Sequence, residues 1–232
     1  EAKFLRALGH FELVRMFAQP YGFTTDNSHL GIPLRLSATQ EQIPRSSVGE
    51  VYTAVIADLE ESATVLPTAN GGYATSWAAK GVLAQVYFQQ NNFEMARDMA
   101  NDVIENGGFA LNPDVMARFS QANNSENVFI LVSTGTLDHS GSGLQGSYRS
   151  DGANPPTLRV AESFYNIATA DTSDQRGQMW YSVQNAGQPN QLVFTNRFNG
   201  IDWFNQPVVH LAELHLIRAE SRLQTNDISG AE

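Results

Sequence analysis

Cysteine is absent from this 232-residue chain. Its absence excludes a disulfide framework, a cysteine-based metal site and a thiol nucleophile, and it leaves the redox compartment open. Long apolar runs are missing as well, because the longest is VFILV at 128–132, far short of the ~18 residues that a membrane-spanning helix needs. That run is typical of a buried strand.

Positive charge is scarce. Lys and Arg together number 14 against 24 Asp and Glu, which gives a net charge of −10. No cluster of Lys and Arg is present that would follow a phosphate backbone, so the composition argues against nucleic acid as a partner. Apolar residues make up 42% of the chain, enough to bury a sizeable core.

Both ends of the sequence read as interior segments. The stretch EAKFLRALGHFELVRMFAQP at 1–20 is helical from its first residue with no N-cap before it. The stretch TNDISGAE at 225–232 stops where a helix should begin. We therefore expect a fragment of a longer protein, and the lack of a signal peptide carries no information about location.

Three helices follow from periodicity and capping signals. Ser47 and Glu50 form a capping-box pattern that opens a helix ending at Pro67. The next helix, 76–89, is small or apolar nearly all round, so we expect neighbours on several sides and Trp77 in the core. A third helix, 93–105, confines its apolar residues to one face and lies outside the second.

The second and third of these helices resemble a tetratricopeptide pair. Leu83, Ala84, Tyr87 and Ala96 stand where that repeat places its crossing residues, and the last helix partly repeats the pattern. We predict a mainly α fold of tetratricopeptide-like helical pairs, an α-α superhelix, with a loop-rich insertion that contains short strands. In this prediction a single domain covers 1–232. Its helical repeats occupy 1–112 and 207–232, and its loop-rich insertion occupies 113–206.

Catalytic and metal motifs are weak. GSGLQG at 141–146 fits G-x-G-x-x-G but lacks the strand and helix that make it a dinucleotide site. His210 and His215 are five apart, which turns them away from one shared zinc ion. DTSDQRG at 171–177 leaves a loop calcium open, although its glycine is one place late. Carboxylates are plentiful without any sign of a converging glycosidase pair. We predict no catalytic residue, no metal site and no cofactor.

Aromatic residues among amides mark the insertion as a binding region. Sugar rings stack on flat aromatic side chains and hydrogen-bond to polar groups around them, and binding residues concentrate on irregular backbone. On that basis the candidate ligand-binding residues are Tyr148, Trp180, Tyr181 and Trp203. If adjacent Trp180 and Tyr181 lie on a strand, their rings face opposite sides. The alternative for each is an ordinary buried aromatic.

Six blocks in order are similar to the SusD/RagB family, and together they span almost the whole chain. They are EAKFLRALGHFELVRMFAQPYG, GIPL, RSSVGEVYTAVIADLEESATVLP, TSWAAKGVLAQVYFQQNNFEMARDMANDVIENGGFAL, SENVFIL and PVVHLAELHLIRAES. The resemblance implies a surface-exposed, lipid-anchored protein of the Bacteroidetes outer membrane that is not an enzyme. Its anchor, the only membrane attachment expected, lies outside this fragment.

The resemblance also implies a function. Members bind oligosaccharides, or in some cases peptides, and cover a TonB-dependent SusC-like transporter to which they deliver the ligand. Their helical repeats support the fold, while variable loops contact the ligand. Two alternatives stay open: a helical-repeat scaffold for protein partners, and peptide rather than glycan capture by the same loops.

Overall fold

In the computed structural model, the described residues are 1–114, 116–117, 124–134, 146–152, 155–201 and 203–231. Helices dominate, and the strands are short, which confirms the predicted mainly α fold. The helices are α1 (Ala2–Phe17), α2 (Val48–Val65), α3 (Ser76–Gln89), α4 (Phe93–Asn106), α5 (Glu162–Ala168), α6 (Gln175–Met179), α7 (Leu211–Gln224) and α8 (Ile228–Ala231). The strands are β1 (Leu30–Pro33), β2 (Arg45–Ser47), β3 (Asn127–Leu131), β4 (Tyr181–Gln184), β5 (Leu192–Thr195) and β6 (Gln206–His210).

The chain forms two compact units. One, the helical unit, comprises Glu1–Phe109 and Val209–Glu232; the other, the loop-rich unit, comprises Ala110–Val208. The assignment of both to a single domain stays a prediction.

The capping box at the start of α2 is confirmed. The backbone N–H of Glu50 donates to Ser47 Oγ at 3.2 Å, and the backbone N–H of Ser47 donates to Glu50 Oε2 at 2.8 Å. Each bond satisfies an N–H that the helix itself leaves unpaired. The helix ends at Val65, just before Pro67.

Helix α3 is the centre of the helical unit. It contacts α1, α2, α4 and α7, which confirms the prediction of neighbours on several sides. The tetratricopeptide positions Leu83, Ala84, Tyr87 and Ala96 are all buried. Burial raises the pKa of Tyr87 to about 12, and its hydroxyl donates to Glu60 Oε1 at 2.9 Å. Small and apolar residues therefore fill the crossing of α3 and α4, with one satisfied phenol at its edge.

Ion pairs between charged side chains join neighbouring helices around this core. Arg6 on α1 donates to both carboxylate oxygens of Asp58 on α2 at 2.7 Å. Lys80 on α3 donates to Asp102 on α4 at 2.6 Å, and this bond lowers the pKa of Asp102 below its ordinary 3.8. Because the pKa of Asp102 is lower in the folded chain than in the unfolded one, the Lys80–Asp102 bond stabilises the fold fully at pH values above 3.8. This stabilisation is lost as the pH falls through the lowered pKa of Asp102.

Trp77 corrects one expectation. Its side chain is half-buried rather than in the core, and Lys80 Nζ lies 4.6 Å from the centre of its ring. Trp77 stands at the outer edge of the helical layer, where an ammonium can cover the indole face while staying hydrated. An apolar helix thus still carries a large aromatic residue at its boundary with solvent.

The loop-rich unit is organised by short strand pairs. Strands β4 and β5 form an antiparallel hairpin with Tyr181 opposite Thr195 and Ser182 opposite Phe194. Val160 adds an isolated bridge to Val193 on the other side of β5. In a separate pair, β3 lies beside β6.

Two sequence predictions fall largely outside the described residues: the short helix at 115–119 and the G-x-G-x-x-G stretch at 141–146. The strand predicted at 128–132 is confirmed as β3, shifted by one residue. Within the described ranges, none of the helices combines the length and apolarity that crossing a membrane requires.

Candidate functional site

The β4–β5 hairpin places Tyr181 on the face that becomes a pocket. Side chains alternate along a strand, so Tyr181 and its partner Thr195 share one face, while Ser182 and Phe194 share the other. Phe194 is fully buried, whereas Tyr181 is half-buried. The hairpin therefore anchors itself through Phe194 and leaves the Tyr181 ring at the surface.

Trp180 and Tyr181 both line the same pocket. Two adjacent residues of one strand would instead point to opposite faces of the sheet. Trp180 is the residue after α6 and keeps helical backbone angles, φ −84° and ψ −6°, so the alternation begins only at Tyr181. Asn196 holds this junction: its backbone N–H donates to the carbonyl of Trp180 at 2.7 Å, and its side-chain amide donates to the carbonyl of Tyr181 at 2.8 Å.

The pocket has a volume of about 450 Å³. That volume lies in the range of roughly 300–1,000 Å³ that is typical of small-molecule sites. Its described lining is mostly aromatic and aliphatic: Tyr148, Leu158, Arg159, Val160, Phe164, Trp180, Tyr181, Thr195, Arg197 and Phe198. Three of the four predicted ligand residues are thus brought together, from segments more than thirty positions apart in sequence.

Ring-to-ring contacts hold the aromatic residues in place. The ring of Tyr148 lies 5.9 Å from that of Phe198, which stacks on the fully buried Phe204 at 5.5 Å and 23°. Tyr165 meets Tyr181 edge-on at 5.6 Å. Such contacts add about 0.5–1.5 kcal/mol beyond the area they bury. These contacts therefore hold the aromatic side chains of the pocket wall in position without a ligand.

A polar network fixes the helical turn that carries Tyr148. The backbone N–H of Ser150 donates to Asn199 Oδ1 at 2.9 Å, and the Asn199 amide donates back to Ser150 Oγ at 2.8 Å. Arg149 donates to Asp151, and this bond lowers the pKa of the Asp151 carboxyl, helped by the backbone N–H of Gly200. Gly200 has φ +75°, a conformation that favours glycine, so its N–H can reach the carboxylate.

Two arginines border the aromatic surface. The guanidinium carbon of Arg197 lies 4.0 Å from the centre of the Trp180 ring, so it covers one indole face. Arg159 is exposed on the segment between two backbone hydrogen bonds, Leu158 N–H to Ser147 and Val160 N–H to Val193, both at 2.9 Å. Flat rings and charged donors thus meet in one concave surface.

The fourth predicted residue, Trp203, is half-buried and is not part of the described lining of this pocket. Its neighbour Phe204 is core, where it stacks on Phe198. A role for Trp203 in ligand binding stays a prediction.

The carboxylates of the candidate calcium loop have local partners. Asp171 accepts hydrogen bonds from the backbone and side chain of Ser173, and Asp174 caps α6 by accepting from the backbone N–H of Arg176. The Ser173 bonds lower the pKa of the Asp171 carboxyl, and the Arg176 guanidinium, helped by the Arg176 backbone N–H, lowers the pKa of the Asp174 carboxyl. Among the described residues, no group of three or more His, Asp and Glu side chains is close enough to hold a metal ion.

Sequence reasoning missed the two arginines and Phe164 as members of the site. The hairpin could have been found, because Asn185 and Gly187 have positive φ in the loop between the alternating segment YSVQ at 181–184 and the apolar segment LVFT at 192–195. The position of Arg159 at the pocket could not have been predicted from the sequence, because it depends on the bridge between Val160 and β5.

Comparisons with known proteins agree with one another. Residues 1–88 match the SusD-like family model described as "Starch-binding associating with outer membrane". A SusD-like protein of Bacteroides ovatus is 31% identical over 145 residues, which are 56% of this chain and 25% of that protein.

Solved structures match over nearly the whole chain. A SusD superfamily protein of Bacteroides thetaiotaomicron has a TM-score of 0.84 and 26% identity, covering 100% of this chain and 55% of its own. A putative sugar binding protein of Bacteroides vulgatus has a TM-score of 0.79 and 28% identity, covering 99% and 54%. A laminarin binding SusD-like protein, with a TM-score of 0.71, 19% identity and coverage of 95% and 58%, shares the fold.

This chain spans about half the length of those solved proteins and a quarter of the Bacteroides ovatus relative. The family-model match covers α1 and α2 and nearly all of α3, and the structural likeness extends through the loop-rich unit. The chain is thus similar to the SusD-like family model over residues 1–88 and to SusD superfamily structures over nearly its whole length.

Proposed function

We propose that this chain binds an oligosaccharide in the aromatic pocket of the loop-rich unit without cleaving it. The observation that carries the proposal is the convergence of Tyr148, Trp180 and Tyr181 on one cavity of about 450 Å³. Sugars present apolar C–H faces with hydroxyls around the rim, so flat rings bordered by hydrogen-bond donors complement them. The names of the family and of two solved relatives, which mention starch, sugar and laminarin, support the same ligand class.

Binding without hydrolysis is supported by the chemistry of the lining. Glycosidases use two carboxyl groups about 5 to 10 Å apart across the scissile bond. In the described part of this pocket wall, no Asp or Glu takes part. The polar groups there are hydroxyls and guanidiniums, which bind and orient a sugar but supply neither carboxyl group of that pair.

The cellular setting belongs to the same proposal. The bound oligosaccharide is delivered to a SusC-like TonB-dependent transporter, and the whole protein sits on the outer membrane at the cell surface, held by a lipid anchor. The family description, which names association with the outer membrane, supports the location. The transporter and the anchor rest on the family resemblance.

Isothermal titration of the 232-residue chain against a panel of glucan, galactan and uronate oligosaccharides tests the function. We expect saturable binding of at least one glycan, accompanied by a change in tryptophan fluorescence because Trp180 lies in the pocket wall. An acidic and an aromatic peptide serve as comparison ligands. Binding of a peptide but of no glycan would replace the proposal with peptide capture, and binding of neither would favour a protein scaffold.

A further inference from the structure

The described lining of the pocket has a charge opposite to that of the chain. The whole sequence carries a net charge of −10. Yet the described residues that line the pocket include Arg159 and Arg197 and neither Asp nor Glu. Two guanidinium groups in the described pocket wall, with no carboxylate there, give a local field that favours an anion.

Arg159 is poised to bind a ligand. Its backbone is fixed on both sides by the hydrogen bonds of Leu158 and Val160, so the base of the side chain is held in place. Within the described ranges its guanidinium has no ion pair and no hydrogen bond. A guanidinium presents five N–H donors in a planar fork that matches the two oxygens of a carboxylate or the oxygens of a sulfate ester.

Arg197 contributes through its stack on Trp180. Since the guanidinium carbon lies 4.0 Å from the centre of the indole ring, it covers one face of Trp180 and places a positive charge beside the aromatic side chains of the pocket. A sugar that packs against the pocket then meets apolar rings and positive charge at neighbouring places. A neutral sugar can accept hydrogen bonds from the guanidiniums through its hydroxyls, whereas an anionic group forms stronger, charge-assisted hydrogen bonds with them.

The negative charge of the rest of the chain does not cancel this preference. At physiological salt, exposed charges further than about 8 Å away are largely screened. Two acidic groups of the same unit are paired with arginines, Asp151 with Arg149 and Asp174 with Arg176. Glu162, three residues beyond Arg159, is not part of the described lining and accepts a hydrogen bond from the side-chain amide of Gln191 at 3.2 Å. Contact with Arg159 therefore outweighs the distant repulsion.

We infer that the pocket selects an acidic oligosaccharide, one that carries carboxylate or sulfate groups, through Arg159 beside the aromatic platform. This inference rests on the proposed glycan-binding function and names its substrate class. The anion pairs with the Arg159 guanidinium while a sugar ring packs on Trp180 and Tyr181.

Paired ligands test the inference. An oligogalacturonate is titrated against its carboxyl-reduced counterpart, and a sulfated galactan fragment against its desulfated counterpart, at 50 and 150 mM salt. We expect at least one acidic member to bind about tenfold more tightly than its neutral partner, with the difference shrinking at the higher salt. The two pairs distinguish carboxylate from sulfate as the recognised group.

Variants assign the preference to the pocket. Arg159→Gln should weaken binding of the acidic ligand about tenfold and change binding of the neutral one less than twofold, whereas Arg159→Lys should keep part of the preference. Arg97→Gln, on α4 of the helical unit, removes the same charge elsewhere and should change neither.

The outcomes separate the two proposals. Equal binding of acidic and neutral partners, or an Arg159→Gln variant that weakens both equally, overturns the acidic preference and leaves glycan binding intact. Binding of no glycan overturns the proposed function and this inference with it. Binding of an acidic peptide alone, with the same dependence on Arg159, assigns the pocket to peptides.

Discussion

Replacing Trp180 with alanine should weaken oligosaccharide binding about tenfold or more. The indole forms part of the pocket wall and supports the Arg197 guanidinium at 4.0 Å, so its removal takes away a stacking surface and releases the charge above it. Loss of an aromatic contact of about 0.5–1.5 kcal/mol, together with the apolar area that the contact buries, corresponds to roughly a tenfold change in the dissociation constant. Isothermal titration with the best glycan of the panel measures it.

Two further variants make this result interpretable. Trp180→Phe keeps a flat ring and should retain much of the affinity. Trp77→Ala removes the same side chain from the helical unit, where Trp77 is half-buried beside Lys80, and should leave affinity unchanged. If Trp180→Ala binds like the unmodified chain while its melting temperature is preserved, the pocket is not the glycan site. The same titration on Trp203→Ala tests whether Trp203 also contacts the ligand.

Replacing Ala84 with leucine should lower the free energy of unfolding by about 1–3 kcal/mol. Ala84 is fully buried on α3, the helix that contacts α1, α2, α4 and α7, so the added atoms have no free space to enter. Urea unfolding followed by circular dichroism should show a lower midpoint with an unchanged slope. Glycan affinity below the transition should be unaffected, since Ala84 lies in the helical unit.

Ala57 supplies the matched control for that substitution. It is exposed in the middle of α2, and Ala57→Leu makes the same chemical change where space is available. Its effect should stay within about 0.5 kcal/mol. An Ala84→Leu chain as stable as the unmodified one would contradict the tetratricopeptide-like crossing proposed for α3 and α4.

Helices were predictable here because their signals are local. The Ser47–Glu50 capping box acts within four residues, and the apolar periodicity of 76–89 and 93–105 reports directly which sides face neighbours. Trp77 shows the limit of that reasoning. The apolar periodicity of α3 indicates that other helices pack around it. The exposure of Trp77 depends instead on where the neighbouring helices end, which the periodicity does not show.

The binding site was predictable only as a region. Loop placement and amide-rich surroundings pointed to Trp180 and Tyr181, whereas their common direction depends on α6 ending at Met179, directly before Trp180. The partners Arg159 and Phe164 reach the pocket through pairing of Val160 with β5 and through packing of α5 on β5. Pairing between segments that are distant in sequence cannot be predicted from the local sequence pattern of either segment.

The position of a bound oligosaccharide in a crystal structure of this chain tests the proposed function most directly. The sugar should lie in the pocket of the loop-rich unit, with a ring against Trp180 or Tyr181 and, for an acidic ligand, its anionic group within hydrogen-bond distance of Arg159. A glycan bound on the surface of the helical unit, with the aromatic pocket left open, would contradict it.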